Sequence, residues 1–492
     1  MNKLLGVVSL AVLSFVFLGN ALKSVVTSTV FVTEGEFASF LNISVDKTQI
    51  LVELLIGSSV MALAVAPFLL TRDRAQKIAT LSALIAGGCY AALGLTMLWG
   101  PPLFLRELMV ITSFALGGFF ISFFAPIAQL AINEVDNERE RVLLTTVWTA
   151  AQPVAFLITP QLVKYVALDI GTGNYFLIFS AFPVLYLFLT RTVLKRPETI
   201  PKLKAAPVLS PSKIDWQTIS YIIVAIAAFE AWTLSNSLAG VTSPISLSLM
   251  AIFFVIALIT ALYFKKRKLA NVEETSQNLR NTTIRKSLPP TATFLLIGLF
   301  ILEIPSTGFF DGAYLVRHLC APNLIQDRAS LGAAAQIAAV VFGGAVFVRW
   351  PRLMPVLLIS GILLLLLGSL GYIRYPDLPV DASFFYTSKM VASAGMGLVT
   401  TVIVGVVMAE CRGNPIMSLL PALIIMFGTE FGLEVLEIVY QGAKLYGMQE
   451  VEAYRVIFIA QIAAIVIALV PCIEGLWLKH KSLKDPQVAA TH

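Results

Sequence analysis

The chain has 492 residues, of which 58% are hydrophobic and only 13% are charged, and its mean hydropathy is +0.85. This balance excludes a soluble enzyme and indicates an integral membrane protein. A net charge of +6 would suggest nucleic-acid binding in a soluble chain, but here the lysines and arginines collect between apolar runs, which is typical of membrane topology.

Apolar runs of spanning length predict fourteen transmembrane helices. In chain order they cover residues 4–31, 49–71, 76–99, 107–132, 142–166, 173–193, 217–237, 244–264, 291–316, 329–349, 353–374, 383–409, 416–440 and 455–479. Two linkers, 194–216 and 265–290, set the seventh and eighth spans apart from the rest. The predicted all-α plan is an N-terminal six-helix bundle (1–196), linkers with an inserted hairpin at 217–264 (197–290), a C-terminal six-helix bundle (291–480) and a tail (481–492).

The distribution of basic residues predicts the orientation of the chain. Most of the 35 lysines and arginines lie at the two termini and in the loops that follow even-numbered spans. The positive-inside rule therefore places both termini in the cytoplasm. We expect a monomeric multi-pass protein of a bacterial inner membrane, surrounded by the lipid bilayer.

Two loops carry charged patterns that are known from a transporter superfamily. LLTRDRAQK, between spans two and three, contains Asp73, Arg74 and Lys77, and NEVDNERERVLLTTVW, after span four, contains Glu140 and Arg141. With these loops and its span plan, nearly the whole chain resembles the fourteen-span drug:proton antiporter branch of the major facilitator superfamily. The resemblance implies two pseudo-symmetric bundles that rock around a midplane site, with these five residues latching the two states. Ordinary positive-inside charge is the alternative interpretation of both loops.

The thirteenth predicted span carries three glutamates, Glu430, Glu434 and Glu437. At helical pitch these positions differ by about 40° and 20° around the axis, so the carboxylates form one stripe. An ionisable group inside a bilayer costs at least a few kcal/mol unless it meets water, a partner or an ion, so the stripe predicts a functional site. The alternatives are an ion-pair ladder to a neighbouring helix and, for Glu437 alone, a carboxylate at the membrane surface.

Five further charges fall in spans that the resemblance implies line or flank a central cavity. They are Lys23, Glu53, Glu303, Asp311 and Lys389. With the stripe they predict an acidic vestibule in the outer half of the membrane, in which burial and mutual repulsion favour protonation of some carboxylates.

The proton-coupling residues predicted in this vestibule are Glu303, Asp311, Glu430 and Glu434. Glu303 is the preferred one, because Pro305 beside it removes a backbone hydrogen bond and lets the helix bend. The alternative is a proline kink whose glutamate is satisfied by a nearby hydroxyl group.

Substrate contacts are predicted for a second set of residues. The set comprises Lys23, Glu53, Lys389, Glu437, Phe309, Phe310, Tyr314 and Phe431. The alternatives are pairing of Lys389 with the glutamate stripe, snorkelling of Lys23 and simple packing of the aromatic side chains. Glu230 and Glu474, on the hairpin and the last span, are interpreted as peripheral.

The motifs present limit the function classes. The sequence has no nucleotide-binding loop, metal-ligand spacing or nucleophile–base arrangement, so we expect neither an enzyme nor a bound cofactor or metal. The acidic vestibule predicts proton-coupled, multidrug-type export of small cationic or amphipathic compounds. Span five keeps only Pro160 of the antiporters' glycine-rich run, which favours a rival: export or uptake of a specific solute such as a siderophore or metal chelate. A receptor or scaffold that binds without transporting is the third hypothesis.

Overall fold

The computed structural model describes residues 10–135, 137–195, 215–278, 288–306, 314, 322–377, 383–411 and 415–484, and all regular structure in these ranges is helical. The first nine helices are α1 Leu10–Val32, α2 Glu34–Leu41, α3 Gln49–Leu69, α4 Arg72–Trp99, α5 Leu103–Ile121, α6 Phe124–Asn133, α7 Glu138–Leu162, α8 Thr172–Phe179 and α9 Ala181–Lys195. Shorter pieces are a 3₁₀ turn at Val45–Thr48, a π turn at Val163–Ala167 and one α turn at Leu168–Ile170.

Eight further helices complete the described chain. They are α10 Trp216–Ala239, α11 Pro244–Asn278, α12 Pro290–Ser306, α13 Pro322–Arg349, α14 Met354–Ile373, α15 Phe384–Glu410, α16 Leu420–Leu445 and α17 Glu450–Lys484. Short turns lie at Pro351–Leu353, Tyr375–Asp377 and Pro415–Ser418. Local signals fix several ends: the Asn137 side chain caps α7 and Asp215 caps α10, while Gly100 ends α4 in the left-handed conformation.

Each predicted span coincides with helix, but the count of fourteen is not confirmed. Among the described residues, twelve helical segments are long and apolar enough to cross a membrane. The two remaining predicted spans correspond to α12, which has 17 residues, and α16, which has 26 residues but carries the three stripe glutamates. The predicted span 291–316 extends past Ser306, where the described part of α12 ends.

The structure differs from the predicted spans and linkers at three places. The fourth span is broken between Ile121 and Phe124, and the sixth is broken at Ser180. The predicted linker 265–290 begins as helix, because α11 continues to Asn278 through a stretch in which lysine, arginine, leucine, alanine, glutamate and glutamine, all good helix formers, make up most of the residues. Most of the other linker, 194–216, lies outside the described residues.

The helices pack in two groups. In the N-terminal group α1 packs against α6, α7 and α9, and α4 and α3 both pack against α5. In the C-terminal group α15 packs against α13 and α14, and α12 packs against α16 and α17. The two groups meet mainly through α7 with α13 and through α3 with α16, and the hairpin helix α10 packs against α3. The hairpin therefore lies beside the α3–α16 contact.

One close approach inside the C-terminal group gives a stability prediction. At Gly395 of α15 a Cβ atom would overlap the backbone of Leu365 and the carbonyl oxygen of Gly361 on α14. Because backbone atoms cannot move aside, Gly395→Ala is expected to lower the free energy of unfolding by about 1–3 kcal/mol. Thermal unfolding of the purified protein in lipid nanodiscs measures this loss.

The matched control is Gly405→Ala on the same helix. A Cβ there would lie 3.7 Å from the nearest atom of the Phe347 ring, which is an ordinary contact. Equal unfolding temperatures for the two variants would contradict the close packing of α14 on α15.

Candidate functional site

A buried pair of opposite charges joins the two helix groups near the middle of the molecule. Lys23 on α1 and Glu303 on α12 are each only 5% exposed, and the charge of Glu303 acts on Lys23. The Thr429 hydroxyl of α16 is 3.3 Å from Glu303 Oε2. We name Lys23, Glu303 and Thr429 the central site.

Four carboxyl groups meet where the hairpin lies against both helix groups. We name this set the seam cluster: Glu53 on α3, Glu230 on α10, and Glu430 and Glu434 on α16. Glu430 and Glu434 are only 4% and 7% exposed. The cluster therefore combines residues from the N-terminal group, the hairpin and the C-terminal group.

The hairpin supplies polar contacts to this cluster as well as a carboxyl group. The Asn236 amide donates a 2.6 Å hydrogen bond to Glu434 Oε2, and the Ser237 hydroxyl donates to Glu53 Oε1. The Glu230 carboxyl group lies over Gly57 of α3, where any Cβ atom would overlap it. The hairpin is thus tied to α3 and α16 by side chains as well as by its apolar surface.

The interpretation of Glu230 as peripheral is therefore corrected. Its carboxyl group lies at hydrogen-bonding distance from that of Glu430, a stripe residue. Glu230 is the fifteenth residue of a 24-residue helix, so it lies far from either helix end. The free-energy cost of a carboxylate deep in a membrane helix was the sequence signal that Glu230 belongs to a site. That cost applies to the hairpin as much as to the helices predicted to line the cavity.

Three other predicted site residues lie away from these two sites or serve as packing contacts. Lys389 packs against Gly332 of α13. Phe431 packs against Phe229 of the hairpin, with ring centroids 6.3 Å apart. Tyr314 is buried among aromatic rings of the C-terminal group, including Tyr454.

Glu437, the last residue of the stripe, is half-buried and accepts a 2.7 Å hydrogen bond from Gln441 on its own helix. It interacts electrostatically with Glu434. It therefore borders the seam cluster. Asp311, Phe309 and Phe310 lie outside the described residues, as does the side chain of Asp73.

One end of the molecule, which we name the basic end, carries the α3–α4, α6–α7 and α15–α16 connections, and the two helix groups touch there. Asn133 at the end of α6 donates to the Ser418 hydroxyl just before α16, and Thr145 of α7 contacts the Met408 sulfur of α15 at 3.8 Å. These contacts close the basic end.

The predicted latch residues lie at the basic end with different exposures. Glu140 and Arg141 are buried at the start of α7, and Glu140 accepts a 3.1 Å hydrogen bond from Asn137. Arg74 is half-buried and Lys77 is exposed on α4.

At the opposite end the groups leave an open cleft of about 400 Å³ between α7, α13 and α15. Its lining includes Gln161, Asp327, Ser330, Leu331 and Tyr386. Four of these five side chains are polar, so the cleft suits a solute that carries hydrogen-bonding groups. The basic end is closed by contacts and the opposite end is open at the cleft, so the structure represents one access state.

The chemistry of the two sites is acid–base and electrostatic. Within the described residues no group of three His, Cys, Asp or Glu side chains has the geometry to hold a metal ion. The central site and the seam cluster together contain five carboxyl groups and one ammonium group, that of Lys23. Such an arrangement can bind protons or attract a cation.

The sequence matches no protein-family model and no curated protein. Solved structures are similar to this chain in fold. A bacterial homologue of the iron transporter ferroportin in an outward-facing state is similar with a TM-score of 0.60 and 12% identity, over 94% of this chain and 99% of that one. The human organic anion transporter MFSD10 (TETRAN) has a TM-score of 0.57 and 15% identity, over 94% and 99% of the two chains.

The major facilitator superfamily proton:xylose symporter XylE, bound to 6-bromo-6-deoxy-D-glucose, is also similar. Its TM-score is 0.57 and its identity 13%, over 94% of this chain and 95% of that chain. The chain therefore has the all-helical fold of major facilitator transporters, and it is an integral, multi-pass membrane protein. At these identities the likeness concerns the fold alone.

Proposed function

We propose that this protein is a secondary active transporter that exports small cationic or amphipathic compounds in exchange for protons by alternating access. The observation that carries the proposal is the excess of buried carboxyl groups where the two helix groups and the hairpin meet. Of the five carboxyl groups in the central site and the seam cluster, those of Glu303, Glu430 and Glu434 are buried and those of Glu53 and Glu230 are half-buried, and Lys23 is the one basic side chain in these two sites. Burying them costs free energy that a purely structural role does not require.

The position of these groups supports alternating access. The central site has Lys23 on one helix group and Glu303 on the other, so a rocking motion of the groups changes the distance between them. Proton affinity then depends on the conformation, and by linkage proton binding favours one conformation over the other. This is the coupling that proton antiport needs.

The geometry also supports a role for Glu303 as the coupling carboxylate. Its side chain is buried and interacts with Lys23, and the Thr429 hydroxyl is in reach. A carboxyl group that alternates between an ammonium partner and a proton can load and release that proton as the groups move. In the membrane we propose a monomer with both termini in the cytoplasm, so that the closed basic end faces inward.

A second candidate is transport of a specific polar solute, such as a siderophore or metal chelate. The observation in its favour is the polar lining of the cleft, where Gln161, Ser330 and Tyr386 offer hydrogen bonds. A lipophilic cation makes little use of these groups.

Proteoliposome flux tests the proposal. Purified protein is reconstituted with a pH indicator inside the vesicles, and a panel of lipophilic cations and metal chelates is added to wild type and to Glu303→Gln. We expect a substrate-evoked proton signal in the wild type and its loss in Glu303→Gln, because the amide cannot release a proton. Glu474→Gln on α17 is the matched control and should keep the signal.

The panel also separates the candidates. A signal from chelates alone would favour the specific solute, and solute flux without proton movement would overturn proton coupling. Binding without any flux across the panel would contradict a transport function and favour a receptor.

A further inference from the structure

The seam cluster contains buried acceptor oxygens for which the described residues supply no donor. Glu230 Oε1 and both oxygens of Glu430 have no hydrogen-bond donor. Glu430 is more than nine-tenths buried. Buried polar atoms in native proteins are almost always satisfied, so these oxygens indicate a bound donor that is small enough to fit between them.

The space at the cluster limits what this donor can be. The Glu230 carboxyl group already fills the gap over Gly57, and it lies at hydrogen-bonding distance from Glu430. An organic molecule does not fit between the carboxyl groups of Glu230 and Glu430, because these two groups interact directly. The residues also lack the geometry of a metal site. A proton fits, because it turns one carboxyl group into a donor to the other.

In the part of the chain that the structure describes, only carboxyl groups act electrostatically on Glu230 and Glu430. The charged groups that face Glu230 are Glu53 of α3 and Glu430 and Glu434 of α16. The hairpin partner α11 has no charged residue between Pro244 and Phe264. Two carboxylates at this distance, with two more nearby, repel each other strongly unless a proton lies between them.

We propose that Glu230 and Glu430 share one proton, and that this pair is a second proton-binding site which exists only while the hairpin is docked against α16. The two carboxyl groups belong to parts of the protein that move separately in alternating access. α10 packs on α3 of the N-terminal group, whereas Glu430 belongs to the C-terminal group. Loss of the proton leaves two facing carboxylates and drives the seam apart, and separation of the seam releases the proton.

Apolar contacts hold the same surfaces together from the hairpin side. The Phe229 ring packs edge-to-face on Phe427 of α16 with centroids 5.2 Å apart, and the Trp232 ring stacks on Phe253 of α11 at 5.8 Å. The docked hairpin keeps water away from the pair, which strengthens both the shared hydrogen bond and the repulsion that follows deprotonation. The inserted hairpin thus contributes a titratable group to the transporter.

Infrared spectroscopy of the purified protein in nanodiscs at neutral pH tests this site. The carbonyl band of protonated carboxyl groups is compared in wild type, Glu230→Gln, Glu430→Gln and the double variant. We expect each single variant to lose the intensity of one carboxyl group, because the new amide donates to the remaining carboxylate and releases its proton. The double variant should lose no more than either single one, since the pair holds one proton.

Non-additivity is the decisive result. A loss of two carboxyl equivalents in the double variant, or an unchanged band in both single variants, would overturn the shared proton. Glu474→Gln provides a matched control on α17 and should leave the band unchanged. If one single variant fails to give a monodisperse protein, the other single variant and the double variant still test the sharing, because equal losses in these two support it and a larger loss in the double variant overturns it.

Only the role of the shared proton in transport rests on the proposed function. The existence of the shared proton does not depend on it. The infrared band needs neither substrate nor flux, so a failed transport assay leaves this result standing. Conversely, substrate-evoked proton movement with no shared proton at Glu230 would leave the central site as the coupling site. The hairpin would then have no part in proton coupling.

Discussion

Replacing Lys23 with methionine is expected to abolish substrate flux and to destabilise the protein, although methionine preserves most of the side-chain volume. The reason is that Glu303 loses the charge of Lys23 while it stays buried between the helix groups. Removing one partner of a buried pair of opposite charges costs about 3–5 kcal/mol. Flux in proteoliposomes and thermal unfolding in nanodiscs measure the two effects.

The double variant Lys23→Met/Glu303→Gln separates structure from function. Its stability should recover towards the wild type, because a buried charge pair can be replaced by neutral groups at little cost. Because the double variant restores most of the loss, the coupling free energy of this cycle should be at least the cost of Lys23→Met alone, about 3–5 kcal/mol. Its flux should stay absent, since neither residue can then carry charge or a proton.

Lys444→Met, at the exposed end of α16, is the control for the loss of a lysine and should resemble the wild type in both assays. Two results would count against the central site. Destabilisation of the double variant by the sum of the single effects would mean that the residues do not interact. Normal flux in the double variant would reduce the pair to a structural contact.

The membrane helices follow from the sequence because a bilayer demands about 20 apolar residues for each spanning helix. α3 and α15 therefore begin within one residue of the predicted spans. The breaks at Ile121 and Ser180 do not show in hydropathy, but Pro126 and Pro183 lie in the first turn of the helices that follow and cannot donate hydrogen bonds back to residues 122 and 179. The helical end of α11 escaped because a polar stretch was interpreted as a linker from its charge alone.

Helical pitch places Glu430 and Glu434 on one face of α16, and both are buried at the seam. Periodicity says which face of a helix is unusual but does not identify the helix opposite it. The stripe faces the hairpin and α3, whereas Lys389 packs against α13. The docking position of an inserted hairpin depends on surfaces such as Phe229 and Phe431, which look like ordinary membrane aromatics in the sequence.

Gly344→Ala is expected to shift the protein away from the state in which the basic end is closed. Gly344 of α13 faces Thr146 of α7, and a Cβ atom there would lie 2.6 Å from Thr146 Cγ2 and 2.9 Å from its Cβ. Since the two helices belong to different groups, separating the groups relieves the overlap. An overpacking cost of about 1–3 kcal/mol corresponds to a change of about 5- to 150-fold in the ratio of the two states.

Disulfide cross-linking between cysteines placed at Asn133 and Ser418 reports closure of this end, because their side chains touch across the groups. The native cysteines are first replaced. Cross-link yield should fall in Gly344→Ala and recover in part in Gly344→Ala/Thr146→Ala, which removes the Cγ2 and Oγ1 atoms that the new methyl group meets but keeps the Cβ atom at 2.9 Å.

Gly343→Ala is the control, because a Cβ there meets Leu398 Cδ2 at 3.2 Å within the same helix group. It should leave both cross-linking and flux unchanged, since the flexible leucine can move without separating the groups. Equal cross-link yields for Gly344→Ala and Gly343→Ala would mean that the α7–α13 contact does not control access. A fall in yield for Gly344→Ala alone, together with reduced flux, would link transport to the opening of this contact.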